Sequence, residues 1–147
     1  MIREIKAEDR EIYLKMAHDF YQSSAVDKPV PDSHLEKTFD ECMRSGVYAK
    51  AYIIEYEGKI AGYGLTARTF SQEAGGNVRW LEELYILEEY RSKGLGSEFF
   101  AYMEETREEG ETRFRLEVED DNIGAVSLYK RKGFEFLDYK QMIKDFN

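Results

Sequence analysis

Residues 80–100 constrain this chain more than any other stretch, because they read in order as strand, glycine turn and helix. Leu84, Tyr85, Ile86 and Leu87 form an apolar run of strand length, the mark of a strand buried on both faces, although a buried helical segment would carry the same run. Arg91, Ser92, Lys93, Gly94, Leu95, Gly96 and Ser97 then supply basic residues and two glycines directly ahead of a helical pattern. A helix N-terminus presents unpaired N–H groups and about half a positive charge, so a glycine-loosened entry is a natural phosphate cradle. The residues therefore predict an anion site. Alone, the turn is a weak signal, equally consistent with an ordinary helix start.

At 147 residues, with 42% hydrophobic and 14% aromatic residues, the chain is sized and composed for one folded domain, spanning 1–147, that needs no disulfide or metal to build a core. Cys42 is its single cysteine and falls in a helical apolar stripe, which predicts a buried, unreactive thiol and a reducing, cytoplasmic setting. Charges stand where a signal peptide needs apolar residues, and no apolar run approaches membrane-spanning length, so neither export nor membrane insertion is expected. A net charge of −9 with scattered Lys and Arg disfavours nucleic acid as a partner and favours cations. No H-E-x-x-H and no paired cysteines occur, and the chain reads as metal-free.

In chain order, residues 2–6 alternate as a short strand, and Ile12, Tyr13, Met16, Ala17, Phe20 and Tyr21 repeat at helical spacing over 9–21. Residues 23–32 hold both prolines and form a loop, either a substrate lid or a rigid connector. A second helix covers 33–45, with Gly46 as its stop. Residues 47–57 and 59–70 form a β-hairpin about Glu57 and Gly58, and Gly75, Gly76 and Asn77 turn the chain into a strand over 78–87. After the glycine turn, Leu95, Phe99 and Met103 line the buried stripe of a helix ending near Gly110, with a solvated row of glutamates opposite. A strand at 112–118, a helix from Asn122 to about Lys132 and two short strands over 134–146 complete the order β-α-α-β-β-β-α-β-α-β-β.

With that order in place, residues 81–86 (Leu-Glu-Glu-Leu-Tyr-Ile), the Tyr90-Arg-x-x-Gly-x-Gly-Ser97 turn, Asn122, Ala125, Leu128-Tyr129-Lys130 and Lys132-Gly133-Phe134 resemble the GNAT superfamily of N-acetyltransferases. The element order covers the whole chain and the specific motifs its second half. Within the superfamily the acidic pair and the Leu-Tyr-Lys segment are most similar to diamine and polyamine acetyltransferases. The resemblance implies an α/β (α+β) GNAT fold, a mixed, mostly antiparallel sheet of about seven strands flanked by about four helices. It also implies acetyl-CoA as co-substrate and direct acetyl transfer to a primary amine. A cationic small molecule is the expected acceptor; a protein or peptide amine is the alternative, and a homodimer is compatible with the family.

The same resemblance assigns roles. The backbone of residues 91–97 would cradle the pyrophosphate, and Leu84, Tyr85 and Ile86 would pair with the amide groups of the pantetheine arm where the fourth and fifth strands splay. Asn122 would add a hydrogen bond to the cofactor, a role compatible with capping its helix. Glu82 aligns with the family base, and period-2 alternation puts Glu83 on the opposite side of the strand. Tyr129 aligns with the family tyrosine that lies close to the cofactor sulfur, where a phenol still protonated at neutral pH can donate to the leaving thiolate; its alternative is a buried structural phenol. A backbone N–H near Leu84 and Tyr85 would meet the oxyanion, since no Ser-His-Asp or Cys-His pairing offers a covalent route. Tyr21, Asp27 and Glu83 are candidate acceptor contacts.

Two departures stand out: Leu87 is followed by Glu88 and Glu89 where many members carry a proline, and Ser92 occupies a common glycine position. Neither removes a group the cradle needs, because that cradle is backbone. A dinucleotide-binding oxidoreductase is a rival reading, with Gly94 and Gly96 opening a helix and Glu117 about 20 residues on, but Phe99 stands at the third glycine position and no N-terminal βαβ unit precedes it. An acyl-CoA-binding module that has lost turnover is the non-enzymatic rival, and Glu82 with Tyr129 argues against it.

Overall fold

The computed structural model describes residues 1–146, which pack as two compact units, Met1–Glu117 and a second beginning at Val118. The first holds β1 (Ile2–Glu4), α1 (Arg10–Tyr21), α2 (Asp32–Arg44), β2 (Ala49–Tyr56), β3 (Lys59–Ser71), β4 (Gly76–Ile86), α3 (Leu95–Glu105) and β5 (Glu111–Arg115). Its strands form one sheet in the order β1-β2-β3-β4-β5, antiparallel throughout except for the parallel pair β4/β5.

Short-range chemistry explains the hairpin. Glu57 and Gly58 both take positive φ, 49° and 77°, as a two-residue turn matched to right-twisted strands requires. Alternation along the strands then divides the sheet into two faces. Ile53, Tyr63 and Leu65 pack with Tyr13, Met16 and Ala17 of α1 and Leu35 and Phe39 of α2. The other face receives α3, whose Phe99 ring lies 6.0 Å from that of Tyr52. A methyl group on Gly64 would sit 2.4 Å from Phe99, so this glycine is what lets α3 approach the sheet.

Two ion pairs, one part-buried and one buried, join separate elements. Arg3 donates to both oxygens of Asp9 at 2.8 and 3.0 Å, and Asp9 also accepts the Lys6 N–H, tying β1 to the start of α1. Arg79 of β4 grips Glu111 of β5 in a bidentate pair at 2.5 and 2.7 Å and donates to the Met103 and Thr106 carbonyls, so one guanidinium fixes the parallel pair and the C-terminal end of α3. Cys42 is half-buried against the core, and burial pushes its thiol up to about 11, which makes it inert.

The second unit contains α4 (Ile123–Arg131). Asn122 caps it by accepting the Ala125 N–H at 3.2 Å, and Gly133 ends it with a φ of 89°.

The sheet has five strands among the described residues, not seven, and no strand is assigned over 134–146. Phe134, Phe136, Tyr139 and Ile143 have strand-type side chains, but a strand is defined by a ladder, and composition does not supply the partner edge. The strand at 112–118 is likewise shorter than its alternation predicts, closing at Arg115. No helix among the described residues is long and apolar enough to cross a membrane.

Candidate active site

The site is built on an irregularity in β4. Glu83 pairs with Leu65 and Leu81 with Thr66, leaving Glu82 as an extra residue opposite no partner, a β-bulge. A bulge cancels one step of alternation. Glu83 accordingly turns into the α1/α2 face, where its Oε1 accepts from the Tyr63 hydroxyl at 2.7 Å and its Oε2 from the Tyr21 hydroxyl. Strict alternation, from which the opposite-face placement of the two acids was predicted, therefore does not hold at this point of the strand. The charges of Glu82 and Glu83 both act on the Tyr21 phenol, which burial and the Glu83 hydrogen bond raise above its ordinary value.

The two carboxylates differ in environment. Glu82 is solvent-exposed, yet the surrounding protein, followed by the charges of Glu117 and Glu83, raises its carboxyl above the ordinary value. Burial also raises Glu83, against the lowering effect of the two phenol donors. Glu82 is open to a reactant, while both Glu83 oxygens are engaged. The two phenols bonded to Glu83 belong to a ring cluster: Phe20 lies 5.2 Å from Tyr21 and 6.2 Å from Tyr85, and Tyr63 lies 6.0 Å from Tyr85.

Just beyond the bulge, β4 loses its neighbour. Pairing with β5 ends at Trp80 opposite Arg115. The Leu87 N–H donates to Ala61 O at 2.8 Å, so by antiparallel alternation Tyr85 also bonds β3, whereas the backbone groups of Leu84 and Ile86 face the edge that β5 has left. Of the three residues expected to offer free backbone there, Tyr85 is committed to the sheet. The Ile86 carbonyl is taken by Arg91, whose Nε donates to it at 2.9 Å. That leaves Leu84 N–H, Leu84 C=O and Ile86 N–H.

The glycine turn follows. Gly94 adopts φ 80° at the head of α3 and Ser92 φ 63°, values that curl the backbone so that successive N–H groups converge. The Arg91 N–H already donates to Glu88 O at 3.2 Å, but no backbone group among the described residues accepts from the N–H groups of residues 92–97. The Arg91 N–H, predicted as part of the cradle, is therefore already engaged within the protein. Gly94 is required by its backbone angle. Gly96 is not: a methyl group there would meet only the Leu84 side chain, at 3.7 Å.

Asp27 is exposed on the loop between α1 and α2. In the second unit, Asn122 is occupied as a helix cap, and Tyr129 is half-buried with its ring 6.0 Å from Phe134 and its phenol raised by burial. The structure thus brings Tyr21, Glu82 and Glu83 together, along with Tyr63 and Glu117, which sequence reasoning did not assign to the site. Tyr63 had a signal, an aromatic residue flanked by two strand glycines. The bulge had one too, since two adjacent acids in an apolar strand cannot both occupy the solvent side under strict alternation.

The chain has known counterparts in sequence and in fold. A model of the acetyltransferase (GNAT) family matches residues 11–134. A spermine/spermidine N(1)-acetyltransferase of Bacillus subtilis (strain 168) is 35% identical over 150 aligned positions, covering 91% of this chain and 98% of that protein. A thialysine N-epsilon-acetyltransferase of Mus musculus is 29% identical, covering 92% of this chain and 84% of that protein. Among solved structures, a possible acetyltransferase from Clostridium difficile 630 superposes with a TM-score of 0.85 at 21% identity, covering 100% of this chain and 97% of that one.

Proposed function

The chain belongs to the acetyltransferase (GNAT) family, and from that membership we propose that it moves an acetyl group from acetyl-CoA directly to a primary amine of a cationic small molecule. Gly96 is the observation that carries the donor assignment. A glycine in the first turn of a helix costs stability, and neither its φ nor its neighbours call for one, so its use is close approach of a ligand to the backbone. The uncommitted N–H groups of residues 92–97 at a helix N-terminus suit a pyrophosphate, and the open edge at Leu84 and Ile86 suits an amide-bearing arm. These residues fit a CoA thioester.

Acetyl-CoA supplies an activated carbonyl and a thiolate leaving group; the protein supplies position and proton transfer. Glu82 takes the proton from the substrate ammonium, directly or through one water, and its raised proton affinity brings it closer to the working pH. The Leu84 N–H donates to the developing oxyanion. The Tyr129 hydroxyl gives its proton to the departing sulfur. Asn122 contributes to the cofactor contact through the helix it caps. Three carboxylates, Glu82, Glu83 and Glu117, with an aromatic cluster beside Glu83, select for a cation, which agrees with relatives named for spermine, spermidine and thialysine. We place the protein in the cytoplasm.

The test is a mass-spectrometric screen of diamines, polyamines, lysine analogues and lysine peptides with acetyl-CoA. Acetylation of cationic small amines is expected. Modification of peptides alone would overturn the small-molecule assignment, and failure of every acceptor with intact acetyl-CoA binding would point to a binding module.

A further inference from the structure

Tyr63 is among the most completely buried side chains of the protein, and its hydroxyl points to a single partner, Glu83 Oε1 at 2.7 Å. Its ring is fixed by Tyr13 at 5.2 Å and Tyr85 at 6.0 Å. Glu83 receives a second phenol, Tyr21, on its other oxygen. No Lys, Arg or His forms an ion pair with Glu83 among the described residues. The groups facing it are Tyr21 and Tyr13 from α1, Tyr63 from β3 and Glu82 beside it in β4; Cys42 of α2 acts on Tyr13, and Glu117 acts on Glu82. Glu83 is half-buried, and a carboxylate withdrawn from water without a cation keeps its charge only if hydrogen-bond donors replace what is lost; its protein donors among the described residues are the two phenols.

We infer that Tyr63 and Tyr21 are positioning residues that hold Glu83 as an anion next to the general base Glu82, so that the charge of Glu83 acts on the base. The inference rests on the reading of Glu82 as base. Tyr63 itself reaches no reactant; it acts through Glu83, and Glu83 acts through its field.

The test replaces Tyr63 by Phe, which keeps the ring packing and removes the donor. With glutamate side chains labelled at the carboxyl carbon, the NMR titration of Glu83 in Tyr63→Phe is expected to move its midpoint upward by about one pH unit. The acid limb of the kcat/KM profile, measured with one amine throughout so that the acceptor's own ionisation cancels, is expected to move to lower pH. Glu83→Gln should shift that limb the same way, and Tyr63→Phe added to Glu83→Gln should shift it no further. Tyr21→Phe offers the same readouts from the more accessible side if Tyr63→Phe does not fold. An unchanged Glu83 midpoint in both phenol variants overturns the inference, as does a uniform rate loss with no movement of the limb. If Glu82→Gln leaves the acid limb in place, the base assignment has failed, and the Glu83 titration tells whether the phenols nevertheless hold its charge.

Discussion

Glu83 is a residue whose contribution to stability falls as pH rises. Burial raises its folded value above that of the unfolded chain, so its favourable contribution is complete below the unfolded pKa of about 4.3 and is lost as pH rises through the raised folded value. Thermal melts of wild type and Glu83→Gln should therefore converge in mild acid and separate towards neutrality, with the variant the more stable of the two there. Asp9 behaves in the opposite sense. Arg3 and the Lys6 N–H hold its carboxyl below the usual range, so its contribution is present above about 3.9 and disappears as acid protonates it. Tyr129→Phe tests the proposed acid: single-turnover rates should fall by about 10²–10⁴-fold with acetyl-CoA affinity preserved. For Glu82→Gln the loss should be greatest at low pH and should recover in part as free amine becomes available. Sequence reasoning singled out Glu82, Glu83 and Tyr21, but the bulge that sets the two acids was not legible, because hydrophobic periodicity cannot announce where a strand gains one unpaired residue.

Among the elements, α3 carries the clearest separation between folding and binding. Gly96→Ala should leave the melting temperature unchanged or raise it, because alanine is about 1 kcal/mol better than glycine in a helix, while raising the KM for acetyl-CoA. Gly64→Ala should do the reverse at first cause. Its methyl group would collide with Phe99, at a cost of about 1–3 kcal/mol measured by denaturant unfolding, and any loss of cofactor affinity would follow from the displaced helix. At the other end of α3, truncating one partner of the Arg79 and Glu111 pair strands a buried charge. Glu111→Ala is expected to cost about 3–5 kcal/mol, and replacing both partners with apolar residues should cost less than the sum of the single changes. Elements with strong local signals, α1, α2, the hairpin and the strand-turn-helix unit, were readable from the sequence because their spacing and turn residues are local. The final strands were over-read, since Phe134, Phe136 and Tyr139 state a preference that a strand can satisfy only with a partner edge.

For the whole molecule, the net charge of −9 forms a field that favours approach of a cation. Raising ionic strength from low to physiological values should lower kcat/KM for a polyamine more than for a monoamine, and steady-state kinetics over a salt series checks this. The splayed pair β4/β5 has a further consequence, for amide exchange. A strand flanked on both sides is expected to exchange slowly along its whole length, yet β4 has two kinds of amide after Trp80. Tyr85 and Leu87 are bonded to β3, whereas Leu84 and Ile86 point to the unoccupied edge. Deuterium should therefore enter alternate residues of one strand, quickly at Leu84 and Ile86 and slowly between them, and that two-residue rhythm should vanish when a ligand completes the sheet.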